Sequence, residues 1–220
     1  MLQADRECRK CTYNENSSAA AYDSFGLNSS QIDAVKSCIS AVQCSHRPSA
    51  QLIWGPPGTG KTKTVSVMLY RLLQLMPSLR ILVCAPTNTA VLQLAFHLVS
   101  LIIENTSESK ELFNAVLLFG NKERLMKKAG NNKKLSKIFE HLSKGSLVER
   151  RLVLCTPFMS SCLRDKVFDI LVIDEAANLK ECESMIPLAS RRINHVVLVG
   201  DDKQLQSVVK STVCLHYKII

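Results

Sequence analysis

Six short apolar runs punctuate the chain: Gln51–Trp54 (QLIW), Arg80–Ala85 (RILVCA), Ala115–Gly120 (AVLLFG), Arg151–Thr156 (RLVLCT), Asp169–Asp174 (DILVID) and His195–Asp201 (HVVLVGD). Each is nearly continuous in hydrophobic residues, the pattern of strands covered on both faces, and Trp54 is expected in the core. Between the runs the period becomes helical. LNSSQIDAVKSCISAVQ opens with Asn28 and Ser29 as candidate N-caps and places Ile32, Val35, Ile39 and Val42 on one face. KTVSVMLYRLLQL is stopped by Pro77, AVLQLAFHLVSLII runs from Ala90 to Ile103, and ANLKECESMIPLAS lies before the last run. Strands alternating with helices predict an α/β fold, a parallel sheet with helices on both faces. No internal repeat is visible.

Composition narrows this picture. A chain of 220 residues, 46% hydrophobic and 21% charged, suits one globular domain. Residues 1–24 are polar and without lasting periodicity, which predicts an N-terminal linker ahead of a domain over 25–220. The segment MLQADRECRKCTYNENSS has no apolar core of a signal peptide, so the nine cysteines are expected as free thiols in a reducing compartment, nucleus or cytoplasm. Cys8 and Cys11 form a single CRKC pair, with no second pair to complete a zinc site. The apolar run at Ala90–Ile103 is broken by Gln93 and His97 and falls short of the ~20 residues that span a bilayer. It predicts a buried helix, with His97 a satisfied or surface-edge residue, and no membrane partner. The formal charge is +9, and Asn121–Arg151 alone holds ten Lys/Arg against three Asp/Glu. That basic block, with Lys127, Lys128, Lys133 and Lys134 at its centre, is the electrostatic footprint of a polyanion or a solvated lysine-rich helix.

Candidate chemistry sits after the runs, where open parallel sheets bind ligands. After QLIW comes GPPGTGKT, Gly55–Thr62, which fits G-x-x-x-x-G-K-[ST] with a helix behind it. Gly55, Pro56, Pro57, Gly58, Thr59, Gly60 and Lys63 belong to the expected phosphate cradle. Gly58 and Gly60 let backbone amides turn inward, Lys61 reaches the β- and γ-phosphates, and the Thr62 hydroxyl suits Mg²⁺. After DILVI come Asp174, a candidate for the Mg²⁺ shell, and Glu175, a candidate base for an attacking water. After HVVLV, the loop GDDKQL offers the Gln204 amide to the γ-phosphate or that water, with Asp201 and Lys203 tying the loop in place. ATP and Mg²⁺ are the expected ligands.

GPPGTGKT, APTNTA, DEAA and GDDKQL, in this order, closely resemble motifs I, Ia, II and III of superfamily 1 helicases, in the branch of the nonsense-mediated-decay helicase and senataxin. The upstream FGLNSSQ resembles the Q motif of that branch, which implies that Gln31 reads the adenine edge. Phe25 is a further candidate to approach the base. The resemblance covers Phe25 to Lys210 and implies a P-loop NTPase (RecA-like) domain of an ATP-dependent helicase. It also implies that Pro86, Thr87, Asn88 and Thr156 touch the backbone of single-stranded RNA or DNA, and that the basic block over 121–151 is a nucleic-acid-facing helical insertion. Gln206 stands where the family usually has proline. Nothing resembling motifs IV to VI follows, so the second RecA-like lobe, with its arginines, is expected elsewhere or from a partner protein in trans. Two functions are open: the first lobe of a helicase motor, or a nucleotide-gated nucleic-acid-binding module with little turnover. A P-loop ATPase of another branch would explain GPPGTGKT and DEAA but not APTNTA or GDDKQL.

Overall fold

The computed structural model describes residues 22, 24–44, 46–105, 109–121, 140–143, 147 and 150–201. Helix α1 (Ser29–Gln43) starts from a reciprocal cap. The Asn28 side chain accepts from the Gln31 backbone N–H, and the Gln31 side chain accepts from the Asn28 N–H, each at 2.9 Å. Two of the amides that a helix start leaves orphaned are thereby satisfied. Val35, Cys38, Ile39 and Val42 form the buried face, and each such aliphatic side chain contributes about 1.5–3 kcal/mol.

Strand β1 (Ser49–Trp54) leads through the Gly55–Gly60 loop into α2 (Lys61–Leu75), which is buried almost all round. Its two enclosed hydroxyls are paired within the helix, Thr64 donating to the Gly60 carbonyl at 3.0 Å and Ser66 to that of Thr62 at 2.8 Å. A helix apolar on every side needs such internal satisfaction, because no water reaches it. It ends where the Met76 N–H bonds the Leu72 carbonyl, one residue before Pro77.

There follow β2 (Ile81–Cys84), α3 (Asn88–Asn105), α4 (Ser109–Asn114), β3 (Val116–Leu118), β4 (Leu152–Cys155), α5 (Pro157–Ser160), a 3-10 turn at Ser161–Leu163, β5 (Ile170–Ile173), a 3-10 turn at Ala176–Asn178, α6 (Glu181–Leu188) and β6 (His195–Gly200). All strand pairs are parallel, in the order β1-β6-β5-β2-β4-β3. One sheet face, including Ile53, Val83, Leu154, Val172 and Val199, joins the large core with the buried residues of α1 to α4. The other, including Leu82, Cys84, Val153, Cys155 and Ile173, packs with Leu163, Phe168 and Leu179 from the shorter segments. The chain is therefore an α/β domain with helical cover on both faces. Cys84 stands opposite both Cys155 and Ile173, and Trp54 opposite Gly200, so the loops after five strands leave the sheet along one edge.

Three sequence expectations are corrected. β1 lies at the end of the sheet order, with Leu52 54% and Trp54 52% exposed, so Trp54 is not a core residue. The short segments on the second face cover β5, β2 and β4 and leave the alternate side chains of β1 open. Phe25 does not face a ligand site; it is buried and packs edge-on against Tyr70, with ring centroids 5.7 Å apart. Tyr22, inside the expected linker, is 1% exposed, with the Lys36 ammonium and the Arg71 guanidinium 5.7 and 5.5 Å from its ring centroid. Cation–π contact and burial thus begin the packed chain before Phe25. The pattern at Ala177–Ser190 also resolves into a 3-10 turn and a shorter helix, with Lys180 as the cap between them.

Cys38, Cys44, Cys84, Cys155, Cys162 and Cys182 are free thiols, and burial pushes that of Cys38 up to about 12. No helix among the described residues is long and apolar enough to cross a membrane. The basic block's Lys127, Lys128, Lys133 and Lys134, the CRKC pair and Lys203, Gln204 and Gln206 lie outside the described residues.

Candidate nucleotide-binding site

The loop between β1 and α2 turns on two glycines. Gly58 has φ +79° and Gly60 φ +77°, the left-handed region that side chains other than glycine's enter at a cost of about 1–2 kcal/mol. Space is a second constraint at Gly60, where a Cβ would meet Gln31 Nε2 at 2.8 Å. The Thr59 hydroxyl donates to the Pro56 carbonyl at 2.7 Å and braces the turn. Lys61 donates to the Gly55 and Pro56 carbonyls at 2.6 and 3.0 Å, which fixes its ammonium across the loop. Lys63 points back, donating to the Gly26 carbonyl at 2.9 Å, although it also lines the cavity below.

Gln31 reaches the loop from α1, its Nε2 donating to the Thr59 carbonyl at 2.8 Å. A carboxamide has two N–H donors and two acceptor lone pairs, so after the Thr59 and Asn28 bonds one of each is left. Gln31, Gly55, Pro56, Thr59 and Lys61 line a cavity of about 830 Å³ between α1 and β1.

On the far side of β6, Asp174 ends β5. Its N–H bonds the Cys84 carbonyl at 2.9 Å, and its Oδ1 accepts from the Glu175 N–H at 3.0 Å. Only 3% exposed, its carboxyl is pushed up to about 6, chiefly by burial and then by the Glu175 charge, against the Glu175 hydrogen bond and the Lys61 charge. Glu175 has φ +52°, a left-handed conformation that a side chain adopts at the expense of stability. Gly200, at the tip of β6, lets the Ala176–Asn178 turn pass close: a Cβ there would meet the Ala177 nitrogen at 3.2 Å. One cavity of about 430 Å³ is lined by Pro57, Gly58, Gly60, Lys61 and Thr62 on one side and Asp174, Glu175 and Asp201 on the other.

A profile of the AAA domain family matches residues 26–149 and 120–212. The chain belongs to this family. Over 207 residues the AAA domain is 34% identical to the ATP-dependent helicase NAM7 of Saccharomyces cerevisiae, a match covering 83% of this chain and 20% of that protein. It is 33% identical to the ATP-dependent helicase upf1 of Schizosaccharomyces pombe (83% of this chain, 22% of the other) and 32% identical to the RNA helicase Mov10l1 of Homo sapiens (87% and 15%). The chain spans about a fifth of the length of these relatives. The resemblance to the first lobe of the nonsense-mediated-decay branch of superfamily 1 therefore stands.

The AAA domain holds the remaining strand-end residues apart from the phosphate loop. Pro86, Thr87, Asn88 and Thr156 line a separate groove of about 540 Å³ with Thr89, Pro157, Phe158, Leu179, Glu183 and Ile186. Thr87 Oγ1 accepts from the Ala90 N–H at 3.1 Å and so caps α3. Two residues at the phosphate cavity escaped the sequence reading. His97, expected as a satisfied or surface-edge residue, is exposed as that allows and also lines the cavity, with its ring 6.0 Å from that of Phe96. Gly200 was legible only as the first letter of GDDKQL; its tight approach to another loop has no local signature.

Proposed function

We propose that this AAA domain is the ATP-binding first lobe of an ATP-dependent helicase acting on single-stranded RNA or DNA, with Mg²⁺ as its metal. The observation that carries the reading is the cavity in which the Gly58–Thr62 loop faces Asp174 and Glu175. Loop amides and a lysine on one wall, with two carboxylates on the other, suit a polyphosphate bridged to a hard cation. The donor set fits the metal: the Thr62 hydroxyl and the Asp174 carboxylate are oxygen ligands in one cavity, and a dication there would favour the ionised form of a carboxyl that burial holds near 6. When bound, Mg²⁺ supplies charge neutralisation on the phosphates. Gly58 and Gly60 let the loop amides bind the phosphates, and Lys61 exchanges its carbonyl partners for phosphate oxygens. Gln31 orients the base with its spare donor and acceptor. Glu175 takes the proton of the attacking water at its carboxylate, and Gln204 senses the γ-phosphate. The similarity to ATP-dependent helicases and an RNA helicase supports this reading.

A nucleotide-gated binding module with little turnover is the second reading. It is favoured by the lining of the phosphate cavity, in which no arginine occurs among the described residues. Transition-state charge would then go unanswered by the group that typically accelerates phosphoryl transfer by ~10³–10⁵.

Titration with a fluorescent ATP analogue and Mg²⁺, with and without Lys61→Ala, tests the site. Weak binding that disappears in the variant is expected, with very slow hydrolysis and no unwinding by this chain. Failure of the parent chain to bind nucleotide refutes the proposal. Hydrolysis stimulated many-fold by single-stranded RNA or DNA would refute the slow-turnover expectation and imply that this lobe suffices or recruits another.

A further inference from the structure

We propose that Phe158 is a base-stacking platform for single-stranded nucleic acid, an inference that rests on the nucleic-acid reading above and adds to it a residue that none of the four motifs contains. Phe158 is 76% exposed, the most exposed large hydrophobic side chain among the described residues. It is held there by a rigid local frame. The chain leaves β4 at Cys155, and Thr156 and Pro157 start the single turn of α5. Within that turn Ser160 closes on Pro157 and Ser161 on the Phe158 carbonyl, by hydroxyl bonds of 2.6 and 2.7 Å. The ring lines the groove with Thr87 and Asn88.

The occupant follows from the two chemistries of that groove. Because β2 and β4 are paired neighbours, with Cys84 opposite Cys155, the Pro86–Thr89 and Thr156–Phe158 segments rise side by side. One wall offers neutral hydroxyls and an amide, groups that hydrogen-bond phosphate or sugar without reading sequence. The other offers one aromatic face with Leu179 and Ile186, and Glu183, whose carboxylate accepts from the Lys180 N–H at 3.2 Å. A single strand presents this pair of surfaces, a polar backbone on one side and flat π-faces on the other, and aromatic stacking tolerates any base. A protein ligand could place its own backbone amides along the Thr87–Thr156 wall, but it brings no succession of flat π-faces to stack on the ring. No lysine or arginine lines the groove, so this contribution should be insensitive to salt, unlike phosphate neutralisation.

The test is fluorescence anisotropy with a labelled oligouridylate, on the full chain and on Phe158→Ala, Phe158→Leu and Phe158→Trp. Because the ring is exposed, thermal melts of all four should coincide. Loss of one stacked base predicts about 5- to 100-fold weaker binding for both the alanine and the leucine variants, with Phe158→Trp at least as tight as the parent. The deficit should persist at raised salt and shrink for an oligonucleotide of abasic sites. Equal binding by parent and Phe158→Ala overturns the proposal while leaving the nucleic-acid reading intact. Full rescue by leucine overturns it in favour of plain apolar docking, such as a protein partner. Absence of strand binding by the parent overturns both readings.

Discussion

Replacing Asp174 by asparagine should stabilise the metal-free protein while removing a ligand of the proposed Mg²⁺ site. The carboxyl is 3% exposed and raised from 3.8 to about 6. At 1.36 kcal/mol for each unit of pKa, the ionised carboxylate costs the fold about 3 kcal/mol at neutral pH. The sign follows from linkage. A folded-state value above the unfolded one means that stability is fully present below pH 3.8 and is lost as pH rises through about 6. Asparagine keeps the Oδ1 acceptor used by the Glu175 N–H and removes the charge. Melting followed by circular dichroism in chelator at pH 7.5 should show the Asp174→Asn protein unfolding higher by roughly 6–12 °C, at ~2–4 °C per kcal/mol for a chain of this size. By pH 5 the gain should fall to roughly half, because the native carboxyl is then mostly protonated. With ATP and Mg²⁺ the gap should narrow, since the parent gains more from ligand binding. A variant that melts at or below the parent in chelator at pH 7.5, or whose gain is the same at both pH values, would refute the attribution of the raised pKa to burial. On the proposed reading, a carboxylate kept for a cation is a liability without it.

Gly200→Ala should lower the melting temperature by several degrees, because its Cβ would press on the Ala177 nitrogen, and such backbone crowding costs about 1–3 kcal/mol; an unchanged melt would show that the turn yields freely. Gln31→Ala removes both the reciprocal cap and the bond to the Thr59 carbonyl, so ATP affinity should fall and its margin over GTP narrow in competition titrations. Reversing charge at Lys127, Lys128, Lys133 and Lys134 should weaken strand binding and flatten the slope of log affinity against log salt by about 0.7 for each phosphate no longer neutralised; unchanged affinity and slope would make the block a solvated face.

Much of the fold was legible because its signals are local. Each apolar run became a strand within a residue or two of its expected bounds, and the turns at Pro77 and Asn28 fell where proline and a capping asparagine put them. The phosphate loop was legible for the same reason: Gly58 and Gly60 answer a backbone requirement written in consecutive residues. Trp54 was misread because hydrophobicity records that a strand pairs and packs, not which strand ends the sheet. The cavity-lining place of His97 and the exposure of Phe158 were not legible, because a histidine on an apolar helix and an aromatic after a strand look alike whether they line a cavity or not.

By itself the amino-acid sequence determined the element order, the cradle and the two acidic residues meant to face it. Only the tertiary structure decided that these meet. Between β1 and β5 lies β6, the last strand among the described residues, so the Lys61 and Asp174 walls close on the tip of a strand formed from residues beyond both. Strand order is set by how helices of given length cross and cover a twisted sheet, a property of the whole packed chain. The burial that raises Asp174 and the narrow passage at Gly200 exist only once that packing is complete.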